Sequence, residues 1–241
     1  MQLDILAFGA HPDDVELFTG GTLAKMAALG HATGVADMTR GELGTRGTPA
    51  QRKKEAREAA EILGLKVREN LGLADGHVFA NPESRLKVIR VLRKYRPRIV
   101  LTHYWDDTHP DHVNTSRLVA DAVHHSGLAK IKTGQPRYRP PVLLFFKIPS
   151  SLVPSFIVDV SDYVPQRNAA IAAYRSQLFN PESREPSTKL SHPDFLLHVE
   201  TIHSYYGTLI GKQKGEAFCA HGILEIRDIV THFADAGRTG V

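Results

Sequence analysis

Two short segments of this sequence concentrate side chains that bind metal ions and move protons. The first is His11-Pro12-Asp13-Asp14, and the second is His109-Pro110-Asp111-His112. Catalytic zinc is commonly held by three imidazole or carboxylate ligands, with a fourth position left open. His11 and Asp14 lie three residues apart at a predicted helix start, so both can reach one ion, and His112 would supply the third ligand.

Asp13 lies beside a predicted ligand but is not needed to bind the ion. It is therefore a candidate general base, which would take a proton from a metal-activated water. The alternative is structural, because carboxylates at a helix start also cap the backbone and interact favourably with the helix dipole. For either motif alone both interpretations stay open. The occurrence of two such motifs favours a functional site.

The elements around the motifs explain how they would meet. Strands are predicted over residues 4–9, 33–38, 66–71, 98–103, 142–147 and 156–160. Helices are predicted over residues 15–29, 49–63, 82–95, 111–125, 162–177 and 193–206, followed by a short hairpin or arm. This alternation predicts an α/β, Rossmann-like, mostly parallel sheet flanked by helices. In the strand order 3-2-1-4-5, strands 1 and 4 are neighbours, so both motifs would lie at one carboxyl edge.

The composition is ordinary for a globular protein: 241 residues, 42% hydrophobic, 23% charged and a net charge of +4. No linker divides the chain, so residues 1–241 are predicted to form a single domain. Cys219 is the only cysteine, which fits a reducing cytoplasm. No signal peptide or membrane span is expected. Basic residues are spread out, which favours a small anionic molecule over nucleic acid as partner.

These residues also carry a family resemblance. The sequence resembles the PIG-L/LmbE zinc deacetylases, and within them the bacillithiol-biosynthesis enzymes that act on N-acetylglucosaminyl malate. The resemblance extends beyond the two motifs over nearly the whole chain. It includes Val15-Glu16, Gly20-Gly21-Thr22, Gln51-Arg52-Lys53-Lys54-Glu55-Ala56, Tyr174-Arg175-Ser176-Gln177, Tyr206-Gly207 and Gly215-Glu216-Ala217-Phe218.

The resemblance implies a role for each residue of the two motifs. It makes His11, Asp14 and His112 the ligands of one Zn²⁺ per chain, although Fe²⁺ or Co²⁺ accept the same ligands. Asp13 matches the general base. His109 matches the histidine that stabilises the oxyanion or protonates the leaving amine, with Asp111 orienting it. The expected substrate is a small N-acetyl amino sugar, and the protein is expected to form a homo-oligomer.

Substrate specificity is predicted to depend on three arginines. Arg52 matches a residue that lines the family's substrate pocket, and Arg40 and Arg46 lie in the glycine-rich loop just before it. Guanidinium groups suit a carboxylate-bearing aglycone such as malate, although a solvated surface loop is the alternative. Two positions depart from the family: Thr108 replaces an arginine of many relatives, and Phe195 stands where some have a tyrosine, so the oxyanion donor and the substrate are open.

Three other functions are alternatives to this deacetylase. The enzyme could deacetylate another N-acetylated sugar or a thiol conjugate. It could also be a metal-binding Rossmann-like protein without hydrolysis, although the full set of ligands together with Asp13 argues against this. A nucleotide-binding protein is disfavoured, because that fingerprint needs several glycines after the first strand and only Gly9 precedes His11.

Overall fold

The computed structural model describes residues 1–230 and contains one seven-stranded sheet in the order β3-β2-β1-β4-β5-β7-β6. The strands are β1 Ile5–Gly9, β2 Thr33–Thr39, β3 Val67–Leu73, β4 Ile99–His103, β5 Val142–Phe146, β6 Phe156–Asp159 and β7 Gly215–Ala220. The helices are α1 Asp14–Ala28, α2 Pro49–Ile62, α3 Pro82–Tyr95, α4 Pro110–Ser126, α5 Val164–Ala172 and α6 Phe195–Leu209.

The first five strands are parallel, and β7 runs antiparallel between β5 and β6. The predicted α/β class, with its mostly parallel sheet and the order 3-2-1-4-5, is confirmed. Every residue of β1 and β2 is buried, as expected for parallel strands that are covered by helices on both faces.

Side chains of β1 alternate between the two faces of the sheet, as the strand period of two requires. Leu6 and Phe8 enter a core with residues of α3 and α4, whereas Ile5 and Ala7 enter a core with residues of α1. Helices α1 and α4 therefore cover opposite faces, and each begins just beyond the carboxyl end of the strand before it. This arrangement brings the two motifs to the same edge.

Some predicted boundaries are accurate and others are wrong. The capping box of Thr48 and Gln51 is present at the start of α2, and α3 spans the predicted residues. The predicted helix over residues 162–177 is too long, because α5 ends at Ala172. Gly207 does not stop α6, which continues to Leu209; a Cβ at Gly207 would lie 2.6 Å from the backbone nitrogen of Lys214.

The segment after α6 forms strand β7 within the sheet, so the predicted hairpin or arm is wrong for this part; residues 231–241 of that prediction lie outside the described residues. Glu216 on β7 is buried and accepts hydrogen bonds from Gly21 N–H (2.8 Å) and Thr22 N–H (2.7 Å) inside α1. A Cβ at Gly21 would lie 2.9 Å from the same carboxylate. The glycine is needed because the chain comes so close.

None of the helices within residues 1–230 is long and apolar enough to cross a membrane.

Candidate metal centre and active site

The two His-Pro-Asp motifs meet at the carboxyl edge of the sheet, where β1 pairs with β4. Asp14 Oδ1 lies 3.2 Å from Nε2 of His112, and Asp14 Oδ2 lies 3.4 Å from Nδ1 of His11. Ligand atoms of these three residues all lie within 4.8 Å of one another. The structure thus brings together the three predicted metal ligands, although the two motifs are far apart in the sequence.

The ring nitrogens that face away from Asp14 each meet another carboxylate. His11 Nε2 lies 3.0 Å from Asp75 Oδ1, and His112 Nδ1 lies 3.0 Å from Asp107 Oδ2. Metal-bound histidines almost always donate their other ring N–H in this way, which fixes the tautomer and the orientation of the ring. The residues present therefore fit a divalent metal ion.

The charge of the cluster also suits a cation. Burial alone would lower the pKa of His11, but Asp111, Asp14 and Asp75 raise it to about 12. Burial alone would raise the pKa of Asp14, yet the neighbouring His112 holds it well below its usual range. Carboxylates that strongly favour a charged imidazole would also favour a metal ion, whose binding displaces such protons.

Asp13 is held by an arginine and does not cap the helix. It precedes α1 with a φ of 115°, and its side chain makes no capping hydrogen bond. Arg52 Nη2 instead donates to Asp13 Oδ2 (2.8 Å) and to the carbonyl oxygen of Pro12. Burial raises the pKa of Asp13 to about 7, although Arg52 opposes the rise. Such a carboxylate suits proton transfer near neutral pH.

Buried polar side chains hold the first turn of α1 in place. Tyr174 O–H donates to Glu16 Oε1 (3.0 Å), and Arg68 forms ion pairs with both Glu16 and Asp37. Tyr174 and Glu16 belong to segments that carried the family resemblance. Their part in the structure is to anchor the helix that begins with Asp14.

His109 lies close to both predicted histidine ligands. Its ring centre is 4.8 Å from that of His11 and 4.6 Å from that of His112. The backbone N–H of Asp111 donates to His109 Nδ1 (3.2 Å), whereas the Asp111 carboxylate accepts from Gly76 N–H (2.7 Å). The contact that orients His109 therefore comes from the Asp111 backbone and not from its side chain.

His103, at the end of β4, is a neighbour of the centre that the two motifs do not predict. Its ring stacks on His112, with centres 4.1 Å apart and planes at 11°. Its Nε2 accepts from Ala10 N–H (3.1 Å) and lies 3.3 Å from Asp14 Oδ2. Burial lowers the pKa of His103 to about 4, so a neutral ring supports His112. In the sequence, the position of His103 at a strand end, shortly before the second motif, is the feature that could have indicated its place at the site.

The three predicted substrate arginines differ in exposure. Arg52 and Arg46 are buried, and Arg40 is exposed. Arg46 Nε lies 3.5 Å from Glu185 Oε2, and Gln177 donates to the Arg46 carbonyl oxygen (2.7 Å). Arg40 borders a cavity of about 500 Å³ on the α2 side of Pro12. The Arg46 end of this loop is thus packed against residues 177 and 185.

A second cavity, of about 900 Å³, is lined in part by Asp107 and Lys147, both of which contact the predicted ligand His112. It lies between the ends of β4 and β5 and helix α6, and its mostly apolar wall includes Phe18, Ile148, Phe195 and Tyr206. Thr108 also lines it. Both positions at which the sequence departs from the family pattern, Thr108 and Phe195, therefore face this cavity.

The chain is similar to known deacetylases. Residues 6–123 match the family model PIG-L, described as GlcNAc-PI de-N-acetylase. The diacetylchitobiose deacetylase of Thermococcus kodakarensis is 29% identical over 231 residues, which cover 88% of this chain and 80% of that protein. A probable N-acetyl-α-D-glucosaminyl L-malate deacetylase 2 of Bacillus cereus is 26% identical over 195 residues, 73% of this chain and 84% of that protein.

Among solved structures, a conserved protein from Thermus thermophilus superposes with a TM-score of 0.85 at 39% identity. The match covers 95% of this chain and 99% of that one.

Proposed function

This chain belongs to the PIG-L family of de-N-acetylases, and on that premise we propose that it hydrolyses the N-acetyl group of an N-acetylglucosamine conjugate. The more specific proposal is N-acetylglucosaminyl malate, in bacillithiol biosynthesis. The malate deacetylase relative of Bacillus cereus supports it.

One observation carries the proposal. Two histidines and a carboxylate converge on one point, each histidine is backed by a second carboxylate, and Asp13 and His109 flank them. Amide hydrolysis needs a polarised carbonyl, an activated water and a protonated leaving amine, and this set of groups can provide all three.

We propose His11, Asp14 and His112 as the ligands of one Zn²⁺ per chain. When bound, the ion would polarise the acetamide carbonyl and make a water molecule more acidic. Fe²⁺ and Co²⁺ are accepted by the same ligands, so the physiological metal is decided by measurement.

The chain's own residues would move the protons. Asp13, held by Arg52, would take a proton from the attacking water and pass it to the departing amine, and His109 would donate a hydrogen bond from Nε2 to the oxyanion. Burial lowers the pKa of His109, which favours the neutral ring whose Nε2–H donates this hydrogen bond. Asp111 positions His109 through its backbone N–H.

The sugar would extend into the 900 Å³ cavity that Asp107 and Lys147 line, which has the size of a small-molecule site. The aglycone would extend toward the 500 Å³ cavity that Arg40 borders. Arg40, Arg46 and Arg52 are the three arginines that the sequence predicts as partners of a carboxylate on the aglycone. Since Arg52 already holds Asp13 and Arg46 is buried near Glu185, we propose that the exposed Arg40 binds this carboxylate.

The test is release of free amine from a panel of N-acetylated compounds, with metal content measured on the same sample. The panel contains the malate conjugate, methyl N-acetylglucosaminide, diacetylchitobiose and an N-acetylated thiol conjugate. Turnover of the malate conjugate above the others supports the full proposal. Preference for another member keeps the deacetylase but changes its substrate, and no turnover by metal-loaded protein would leave only a metal-binding protein.

A cytoplasmic location and self-association are part of the same proposal. The single cysteine, Cys219, is buried and free, which is suited to a reducing compartment. Helix α6 exposes apolar side chains such as Leu197 (63%) and Leu209 (49%), which a second copy of the chain would cover. No nucleic acid or membrane partner is proposed.

A further inference from the structure

Lys147 forms an ion pair beside the proposed metal centre that the reaction described above leaves without a role. Its Nζ lies 2.7 Å from Asp107 Oδ2, and the same oxygen lies 3.0 Å from Nδ1 of His112. The Asp107 side chain is only 5% exposed. A lysine, a carboxylate and a proposed metal ligand thus form one continuous chain of contacts.

The second oxygen of Asp107 acts on the other histidine of the motif. Oδ1 accepts a hydrogen bond from the backbone N–H of His109 (2.9 Å). One carboxylate therefore fixes the ring of His112 and the backbone of His109 together. A shift of Asp107 would disturb both.

The position of the ring proton determines how Lys147 can act on His112. A metal ion bound at Nε2 of His112 requires the proton at Nδ1, where it donates to Asp107 Oδ2. Lys147 Nζ lies 2.8 Å from this Nδ1, but two donors cannot bond to each other. Lys147 then acts on His112 either through Asp107 or as a repelling positive charge.

The backbone holds Lys147 in an unusual conformation where it makes this contact. Directly after β5, its φ is 56°, in the left-handed region that residues other than glycine rarely adopt. Its Nζ also lies 5.0 Å from the centre of the Phe18 ring. The ammonium group thus lies between the Asp107 carboxylate and the Phe18 ring.

We propose that Lys147 and Asp107 are positioning residues for the metal: Lys147 holds the Asp107 carboxylate, which holds His112 in the tautomer and orientation that bind the ion. This inference rests on the metal centre of the proposed function. The competing explanation, that Lys147 acts only as a charge, predicts an effect of the opposite sign, because a positive charge close to the site weakens cation binding.

The decisive variant is Lys147→Met, measured as the Zn²⁺ Kd of the full-length protein in competition with a fluorescent chelator. If Lys147 positions Asp107, Zn²⁺ binds about threefold to tenfold more weakly, a smaller loss than the roughly 10- to 100-fold typical of a group that touches the ligand directly. Lys147→Arg restores the affinity. Unchanged or tighter binding by Lys147→Met overturns the proposal.

Asp107→Asn tests the other half of the pair. It weakens Zn²⁺ binding by about 10- to 100-fold, and the visible spectrum of the Co²⁺-loaded protein changes because His112 is no longer held. Adding Lys147→Met to Asp107→Asn gives no further loss, since the path is already broken. If the two losses of Zn²⁺ affinity multiply in the double variant, the proposal is contradicted.

Lys94→Met is the matched control, because Lys94 forms a lysine–carboxylate pair with Glu69 outside the site. It leaves the Zn²⁺ Kd unchanged, and equal thermal stability of the metal-free variants excludes a folding defect. Wild-type protein that binds no Zn²⁺ would refute the proposed metal centre itself. Wild-type binding that neither substitution alters would refute only the role of Lys147 and Asp107.

Discussion

Arg52 is bound to Asp13: its Nη2 lies 2.8 Å from Asp13 Oδ2, and both side chains are buried. A buried carboxylate on its own would take up a proton, and the guanidinium opposes this. The same arginine also binds the carbonyl oxygen of Pro12. Arg52 therefore controls both the charge and the direction of the proposed base.

Asp13→Asn should lower kcat by about 10²- to 10⁴-fold, because the amide keeps the shape of the side chain but cannot accept the proton. Zinc content should stay at the wild-type level, since Asp13 is not a proposed ligand. Both quantities are measured on one preparation, by amine release and elemental analysis. Activity within a few-fold of wild type would mean that the base lies elsewhere.

Arg52→Ala should reduce kcat/KM equally for the malate conjugate and for methyl N-acetylglucosaminide, because the arginine acts through Asp13. A roughly 10- to 100-fold loss corresponds to a hydrogen bond to a charged group. Arg40→Ala is the comparison, and it should affect the malate conjugate alone. If Arg52→Ala spares the neutral sugar, this arginine touches the aglycone instead.

Removing the metal should abolish hydrolysis, and adding Zn²⁺ should restore it. His112→Ala should lower the metal content well below one ion per chain without unfolding the protein, because the cores on both faces of the sheet provide most of the stability. Circular dichroism checks the fold of the variant. Full activity of metal-free wild type would contradict the proposed reaction.

The buried His203 should make the fold sensitive to acid. Burial lowers the pKa of His203 to about 4, assisted by the charge of Arg167, while Glu200 opposes the shift. Its Nδ1–H donates to the Val199 carbonyl oxygen (2.8 Å), and its Nε2 lies 3.9 Å from Glu216.

Because the pKa is lower in the folded than in the unfolded chain, acid favours unfolding. The wild type should lose up to about 3 kcal/mol of stability relative to His203→Gln as the pH falls from about 6.5 to about 4. Urea titrations of both proteins at the two pH values measure this difference. The control is His198→Gln, at an exposed position on the same helix, and its stability should depend on pH as that of the wild type does. Equal pH dependence of wild type and His203→Gln would refute the prediction.

The sequence predicts those site residues that stand close together along the chain, and it does not predict those that stand alone. His11, Asp14, His112 and Asp13 stand in compact motifs at strand ends, and the parallel α/β rule is sufficient to bring them together. Asp75 and Lys147 stand alone in loops after β3 and β5. Their contacts depend on the final packing, which no local pattern encodes.

The boundary errors have the same origin. Residues 173–177 have a helical pattern, but Tyr174 turns inward to reach Glu16, so tertiary contacts overrule local propensity. Asp107 is a site residue that the sequence could have predicted, because it lies only five residues before His112. In the structure it contacts both His112 and the backbone of His109.

The hydrogen bonds from α1 to Glu216 join residues 195 and 194 positions apart in the chain. During synthesis, α1 leaves the ribosome early. The backbone N–H groups of Gly21 and Thr22 can bind Glu216 only after β7 has emerged. Nascent chains that end before residue 216 would leave two backbone N–H groups of this helix without these acceptors. We therefore expect the final shape of the helix that begins with Asp14 to be acquired only after β7 has been synthesised.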